Sequence, residues 1–215
     1  MKKLNKKGFT LVELIVVIAI IGVLAAILVP TLLGYVRRSK ISLVNSDAGK
    51  IREQITYYMT QAGAEGYGMF ISRTSVCDVD ITVDGNIWRV SMDHPEAFYD
   101  NNRVIWDGTG SAQVGDDLYS ADAENRMALY LADKFPTITN GHIAFRLVGG
   151  ICTSIYLTYE TQDPVTDILS FDEETLWKAG RFAWNGHEQG VTSSGLIVGT
   201  SPFLDLDAAA VPGGD

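Results

Sequence analysis

The chain has 215 residues, enough for one domain with an appendage, and carries 17 basic against 26 acidic side chains. Four of the basic residues lie in the first eight positions, so the remaining chain has 13 basic and 26 acidic residues and a formal charge of −13. This acidic body excludes a broad nucleic-acid surface, because phosphate binding needs clustered Lys and Arg. The two cysteines, Cys77 and Cys152, are too few for a disulfide scaffold and lack zinc-ligand spacing.

Apolar side chains are concentrated near the N-terminus. Residues 9–29 include only two polar side chains, Thr10 and Glu13, and as a helix they reach ~30 Å, enough to cross the core of a bilayer. A secretory signal peptide explains this segment poorly, because the apolar run continues to Leu33, beyond the weak cut site at 24–26. A plain membrane anchor leaves Glu13 unexplained, because a carboxylate inside a spanning helix is costly without a partner.

A short motif marks the start of this apolar segment. A basic leader ends at Gly8, Phe9 begins the apolar run, and Glu13 follows Phe9 at a separation of four residues. Over residues 2 to about 40 the chain resembles the prepilin signal of type IV pilins and pseudopilins. The resemblance implies cleavage by a membrane peptidase between Gly8 and Phe9, methylation of the new Phe9 amine, and a role for Glu13 in assembly.

The chemistry of each residue suits that role. Gly8 leaves the cleaved bond free of side-chain obstruction, and cleavage there keeps the apolar helix on the mature protein. The new amine of Phe9 is positive, and the Glu13 carboxylate of the same or a neighbouring subunit can pair with it in a helical bundle. Paired in this way, Glu13 would set the register between subunits. The alternative is a polar residue that is tolerated near the membrane surface.

The helical pattern continues past the apolar run. Apolar residues recur from Val44 to Ala62 at three- and four-residue spacing, with charged residues on the other faces. Gly63, Gly66 and Gly68 follow and are expected to end the helix. We therefore expect one helix from residue 9 to about residue 62, and its amphipathic second half should pack on a sheet.

Two residues inside the apolar half are candidates for a helix kink. Pro30 removes a backbone donor and bends a helix, and Gly22 precedes it within the same run. The resemblance implies that residues 22–30 can loosen in an assembled fibre. A fixed kink is the alternative, and the sequence leaves both open.

Beyond Gly68 the periodicity changes to that of strands and turns. Asp84-Gly85 separates the alternating runs 79–83 and 87–92, which predicts a hairpin, and residues 121–135 predict a short helix. Asn140-Gly141 and Gly149-Gly150 then predict two tight turns. The predicted meander has strands 137–139, 142–148 and 151–160, with Leu147 paired to Cys152.

These elements predict an α+β fold in which a long N-terminal helix packs on an antiparallel sheet, as the resemblance implies for a pilin head. The expected organisation is a leader at 1–8, a transmembrane and assembly helix at 9–36, a globular head at 37–206 and a disordered tail at 207–215. Because the resemblance implies export, Cys77 and Cys152 are expected to form a disulfide. Two free thiols are the alternative.

No catalytic, metal or cofactor site is expected. The histidines are widely spaced, and His142 is expected on the surface of a strand. The acidic residues between Asp78 and Gly85 lack calcium-loop spacing. Arg37, Arg38 and Lys40 are expected to flank the membrane. The remaining candidates, weighed as ligands or as an adhesive patch, are His94, His187, Asp80, Asp84, Asp116, Asp117 and the tryptophans Trp88, Trp106, Trp177 and Trp184, the last four expected in the core.

The sequence thus predicts a non-enzymatic subunit of a type IV pilus-like surface filament that serves adhesion or motility. A pseudopilin of a type II secretion or DNA-uptake system is the alternative. The implied partners are further copies of the chain and other pilins, a prepilin peptidase, an inner-membrane assembly platform and, before assembly, membrane lipid; nucleic acid is not expected. The implied location is a single pass in the cytoplasmic membrane and then the cell surface.

Overall fold

The computed structural model describes residues 9–70, 75–100, 103–117, 122–160 and 196–201. The chain divides into two compact units, one up to Lys40 and one from Ile41 onward. A single helix, α1 (Leu11–Glu65), contributes residues to both. The predicted leader and tail, together with Trp177, Trp184 and His187, lie outside the described residues.

The first part of α1 is apolar on every side and every residue from 9 to 40 is exposed. By its length and composition α1 could cross a membrane. The helix is continuous through Gly22 and Pro30, and the Thr31 hydroxyl donates to the Leu28 carbonyl at 2.8 Å in the turn around the proline. The kink or loosening of this segment stays a prediction.

The second part of α1 confirms the predicted amphipathic stripe. Its buried residues are Ile41, Val44, Ala48, Ile51, Ile55, Tyr58, Met59 and Ala62. The helix ends at Glu65, three residues beyond the predicted end at about residue 62, because Gly66 takes the left-handed conformation (φ 91°) that stops a helix. The Tyr67 amide then donates to the Ala62 carbonyl at 3.0 Å, which satisfies a carbonyl at the helix end.

The head contains an antiparallel sheet, and this confirms the α+β fold. Among the described residues the elements after α1 are β1 (Val76–Asp84), β2 (Ile87–Met92), a 3₁₀ turn (Pro95–Ala97), β3 (Thr109–Gln113), α2 (Ala123–Lys134), β4 (Asn140–Val148), β5 (Ile151–Thr158) and β6 (Gly199–Ser201). Their strand order is β3-β2-β1-β4-β5-β6, with every neighbouring pair antiparallel. The second helix, α2, packs on β2 and β3.

Two predicted hairpins are confirmed. β1 and β2 pair up to Asp84 and Ile87, so that Gly85 (φ 60°) begins the turn. β4 and β5 are joined by Gly149 and Gly150, both with positive φ, and Leu147 pairs with Cys152 as predicted.

The predicted turn at Asn140-Gly141 is wrong. Both residues belong to β4, where Asn140 pairs with Asp84 and Gly141 pairs with Val83 of β1. Residues 137–139 form no strand. Gly141 is needed for close approach and not for a turn, because a Cβ there would lie 2.6 Å from the Thr158 carbonyl oxygen.

The core lies between α1, α2 and one face of the sheet. Trp88 and Trp106 are both buried, which confirms the core role for these two tryptophans. Phe98 stacks on Trp106 with ring centroids 4.3 Å apart. The Trp106 indole donates to the Tyr67 carbonyl at 2.5 Å, so its polar edge is satisfied inside the core.

The predicted disulfide is wrong, because Cys77 and Cys152 are both free thiols. Cys77 pairs with Leu147 on one side of β4, and Cys152 pairs with the same Leu147 on the other side. The two cysteines are therefore two strand spacings apart, roughly 10 Å between Cα atoms. A disulfide needs less than about 7 Å. Both thiols are buried, and burial raises the pKa of each to about 12.

His142 is not the surface residue that the sequence predicted. It is buried on β4, with its Nε2 atom 2.6 Å from a carboxylate oxygen of Asp80 on β1. On the same face the Arg146 guanidinium makes two hydrogen bonds with the Asp78 carboxylate, at 2.5 and 2.6 Å. The side chains of Asp78 and Asp80 thus link β1 to β4. In the described part of the chain no cluster of three metal-ligating residues occurs.

Glu124 is a buried acidic residue that sequence periodicity did not single out. Its carboxylate accepts the Asp107 and Gly108 amides at 2.9 and 2.7 Å. Its second oxygen is buried without a hydrogen-bond partner, and burial raises the pKa of the carboxyl group. Through these hydrogen bonds Glu124 connects the segment before β3 to the first turn of α2.

We expect Gly199→Ala to destabilise the head by about 1–3 kcal/mol, the usual range for overpacking. A Cβ at Gly199 would lie 2.3 Å from the Val44 carbonyl of α1. Gly49→Ala is the matched control, because its Cβ would meet Ser201 Oγ at an ordinary 3.8 Å. Since Ala favours a helix over Gly by about 0.8–1 kcal/mol, the control should stabilise the protein. Urea unfolding of the full chain in detergent measures both, and equal midpoints would contradict the packing.

Candidate assembly site at the start of the first helix

Thr10 and Glu13 form a reciprocal hydrogen-bonded cap at the start of α1. The Thr10 amide and hydroxyl both donate to the same Glu13 carboxylate oxygen, at 2.8 and 2.7 Å. The Glu13 amide lies 3.3 Å from the Thr10 hydroxyl oxygen, which accepts from it. This is a capping box, in which two side chains satisfy backbone donors that a helix end leaves without partners.

The cap holds the Glu13 carboxylate in one place. Glu13 is exposed, and it lies in the first turn of α1, where a negative charge is favoured by the helix dipole. The carboxylate has further lone pairs, so it can accept another donor while it keeps its bonds to Thr10. Chemically, the site offers a positioned anion at the end of an apolar rod.

Of the predicted site residues, Phe9 and Glu13 lie at this end of α1. Phe9 directly precedes the cap and is 87 % exposed. Gly8 lies outside the described residues, and Gly22 and Pro30 are in later turns of the helix. Cys77 and Cys152 belong to the core of the head and take no part here.

Thr10 is the site residue that the sequence reasoning missed. A Thr followed three residues later by Glu, just before an apolar run, is the sequence signature of a capping box. The sequence interpretation assigned Glu13 to pairing with the Phe9 amine, and it named Thr10 only as one of the two polar side chains in the apolar segment, without a role. The same four residues carry both signals, since they are also part of the cleavage motif.

Beyond the cap, α1 presents an extended apolar surface. In this segment the exposed large hydrophobic residues make an all-round coat rather than a stripe. Such a surface far exceeds the few hundred Å² that soluble monomers expose, so it marks a membrane or subunit interface. The exposed residues are Phe9, Leu11, Val12, Leu14, Ile15, Val16, Val17, Ile18, Ile20, Ile21, Val23, Leu24, Ile27, Leu28, Val29, Leu32, Leu33, Tyr35 and Val36.

Comparison with known proteins finds a family motif at this end of the chain. Residues 3–29 match the prokaryotic N-terminal methylation motif. The chain is 47 % identical over 75 residues to the type IV major fimbrial protein FimA of Dichelobacter nodosus, covering 35 % of this chain and 47 % of that protein. It is 34 % identical over 98 residues to the type IV wide pilus major component PilA4 of Thermus thermophilus, covering 42 % of this chain and 75 % of that protein.

A third relative, a probable minor fimbrial protein of Dichelobacter nodosus, is 48 % identical over 52 residues, 24 % of this chain and 31 % of that protein. The chain spans about half the length, or less, of the FimA relatives that it matches. No solved structure matches the chain significantly. The coverage of PilA4 and the methylation motif show that the chain belongs to the type IV pilin family, as the N-terminal motif indicated.

We expect Thr10→Ala to fray the first turn of α1. Removing the hydroxyl of an N-cap threonine typically costs about 1 kcal/mol of helix stability. Amide hydrogen exchange of the full chain in detergent should therefore quicken at residues 11–14 and stay unchanged in the rest of the helix. Thr31→Ala is the control, because Thr31 lies within the helix and caps no end. Unchanged exchange at the N-terminus would show that the cap does not form in solution.

Proposed function

We propose that this chain is a structural, non-enzymatic subunit of a type IV pilus-like surface filament. The observation that carries the proposal is the all-round apolar, exposed surface of residues 9–36, which begins at the Thr10–Glu13 cap. A single chain cannot bury this surface in its own core. Lipid can cover it before assembly, and the helices of neighbouring copies can cover it in a fibre.

The proposed sequence of events begins with the leader. A prepilin peptidase cleaves after Gly8 and the new amine of Phe9 is methylated, while the helix remains as a single pass in the cytoplasmic membrane. An inner-membrane platform then transfers the subunit into a filament at the cell surface, beside further copies and other pilins. The filament serves adhesion or motility. It grows by burial of apolar helix surface, and no covalent bond is made or broken in the growth step.

Glu13 is proposed to exchange one environment for another during assembly. In the separate subunit, its carboxylate is bonded to Thr10. After cleavage, the Phe9 amine of the same or a neighbouring subunit offers a charged donor, and charged hydrogen bonds are the stronger kind. Because an unpaired carboxylate is costly in a helical bundle, the pair favours the register in which each Glu13 has an amine.

Two parts of the proposal concern finer features. Residues 22–30 can loosen in the fibre or keep a fixed bend at Pro30, and either would adjust the packing of neighbouring helices. A pseudopilin of a secretion or DNA-uptake system would carry the same N-terminal motif. The relatives in hand are named as fimbrial and pilus components, and this supports the filament as the leading proposal.

The first prediction from this proposal concerns processing. The mature chain should begin at Phe9 with a methylated amine, because the bond after Gly8 is the one that keeps the apolar helix on the product. Intact-mass measurement of protein from the native host checks this directly. A mature N-terminus after Ala26, or a chain that still begins at Met1, would rule the proposed processing out.

The second prediction concerns Glu13. Glu13→Ala should leave cleavage intact and block fibre growth, because a buried amine without its partner costs about 3–5 kcal/mol by analogy with broken buried ion pairs. Glu13→Gln should be milder, since Gln can still form the capping box and accept one hydrogen bond. The measurement compares mature membrane-bound subunit with sheared surface fibre for each variant.

Two controls separate charge pairing from helix capping. Thr10→Ala weakens the cap but keeps the carboxylate, so it should reduce fibre yield less than Glu13→Ala does. Glu53→Gln removes an exposed charge in the head part of α1 and should leave the yield unchanged. Normal fibre yield from Glu13→Ala would remove the role proposed for this residue.

A further inference from the structure

The sheet of the head has two edges among the described residues, β3 and β6. An open edge strand presents unpaired amides and carbonyls, which can accept a strand from another chain. This hazard is greater for a protein whose copies are held side by side, as in the filament proposed above. Whether each edge strand is open or covered therefore affects how copies of this chain associate.

The hydrogen bonds to β2 show which amides of β3 face away from the sheet. The Met92 amide donates to the Gly108 carbonyl, and the Val114 amide donates to the Asn86 carbonyl, both at 2.8 Å. Because antiparallel ladders alternate, residues 110 and 112 are bonded to β2 and residues 109, 111 and 113 point outward. The side chains of these three outward residues are exposed.

Two of the three outward amides are occupied by aspartates of the same chain. The Thr109 amide donates to a carboxylate oxygen of Asp107 at 3.1 Å. The Gln113 amide donates to a carboxylate oxygen of Asp116 at 2.8 Å. Both aspartates are exposed, so a negative charge stands at each end of the strand, where an incoming strand would have to pair.

At the opposite edge, β6, a side chain of the same protein also accepts a hydrogen bond from an outward amide. In the described part of the chain β6 spans Gly199–Ser201, all three of these residues are buried, and Gly199 lies directly against the backbone of α1 at Val44. The Thr200 amide, which would otherwise face outward, donates to the side-chain oxygen of Asn45 at 2.8 Å. Covering an edge with a helix is one device by which natural sheets avoid edge pairing.

The β3 edge has apolar neighbours that would otherwise favour association. Val114 and Ile105 are each 50 % exposed, and Val114 directly follows the strand. A second copy could approach with its own β3 in antiparallel register, centred on Ser111. In that approach the aspartates of both copies would lie close together and repel one another.

We propose that Asp107 and Asp116 keep the β3 edge closed to strand addition by a second copy of this chain. The inference goes beyond the proposed function and does not depend on it, because the same caps would protect a separate head. The partner that the open edge would fit is another β3.

Cysteine crosslinking of the full chain in detergent tests this. In an antiparallel pair centred on residue 111, the facing Cα atoms would be about 5.5 Å apart, within the range of about 4.4–6.8 Å that a disulfide spans, so Ser111→Cys can crosslink two copies. Cys77 and Cys152 are buried and should not compete. Ser91→Cys is the matched position, since Ser91 is also exposed and lies on β2, inside the edge.

We expect Ser111→Cys alone to crosslink weakly. Combined with Asp107→Ala and Asp116→Ala it should form on the order of ten-fold more dimer, because each aspartate that is removed leaves one amide of β3 without its acceptor and free to pair with a second copy. The amount of Ser91→Cys dimer should not change when Asp107→Ala and Asp116→Ala are added. Asp133→Ala with Glu53→Ala removes two exposed charges elsewhere and should leave Ser111→Cys unchanged.

Equal crosslinking with and without the two caps, in a chain that keeps its circular dichroism, would overturn the proposal. If the double variant loses its fold, the single Asp116→Ala variant decides, because it removes one cap in an exposed turn. A several-fold rise in the Ser111→Cys dimer then supports the closed edge, and no rise contradicts it.

Discussion

The structure depends on one constraint, which is that the apolar surface of residues 9–36 cannot remain in water. Every residue in this segment is exposed in the single chain. Lipid or other helices must therefore supply the missing contacts. The proposed retention of the segment after cleavage and the proposed role of Glu13 at its start both follow from this requirement.

A second theme is the use of carboxylates to satisfy backbone amides. Glu13 caps α1, Glu124 holds two amides before β3, and Asp107 and Asp116 cover outward amides of β3. The acidic composition therefore does more than keep the head soluble. Carboxylates are strong acceptors, so they can complete helix ends and strand edges where the chain offers no partner.

Local patterns in the sequence predicted much of the molecule. The stripe from Val44 to Ala62, the turns at Gly85 and Gly149, and the pairing of Leu147 with Cys152 depend on near neighbours, so periodicity and turn chemistry were sufficient. The capping box at Thr10 is equally local and could have been found by the same means. The N-terminal motif alone indicated the family.

Only the tertiary structure decided the features that depend on strands far apart in sequence. Asn140-Gly141 reads locally as a turn, but β1 offers a nine-residue partner, so both residues extend β4. The insertion of β4 between β1 and β5 separates Cys77 from Cys152 and buries His142 beside Asp80. Strand order and register are non-local, and the burial, pairing and charge partners of these side chains follow from them.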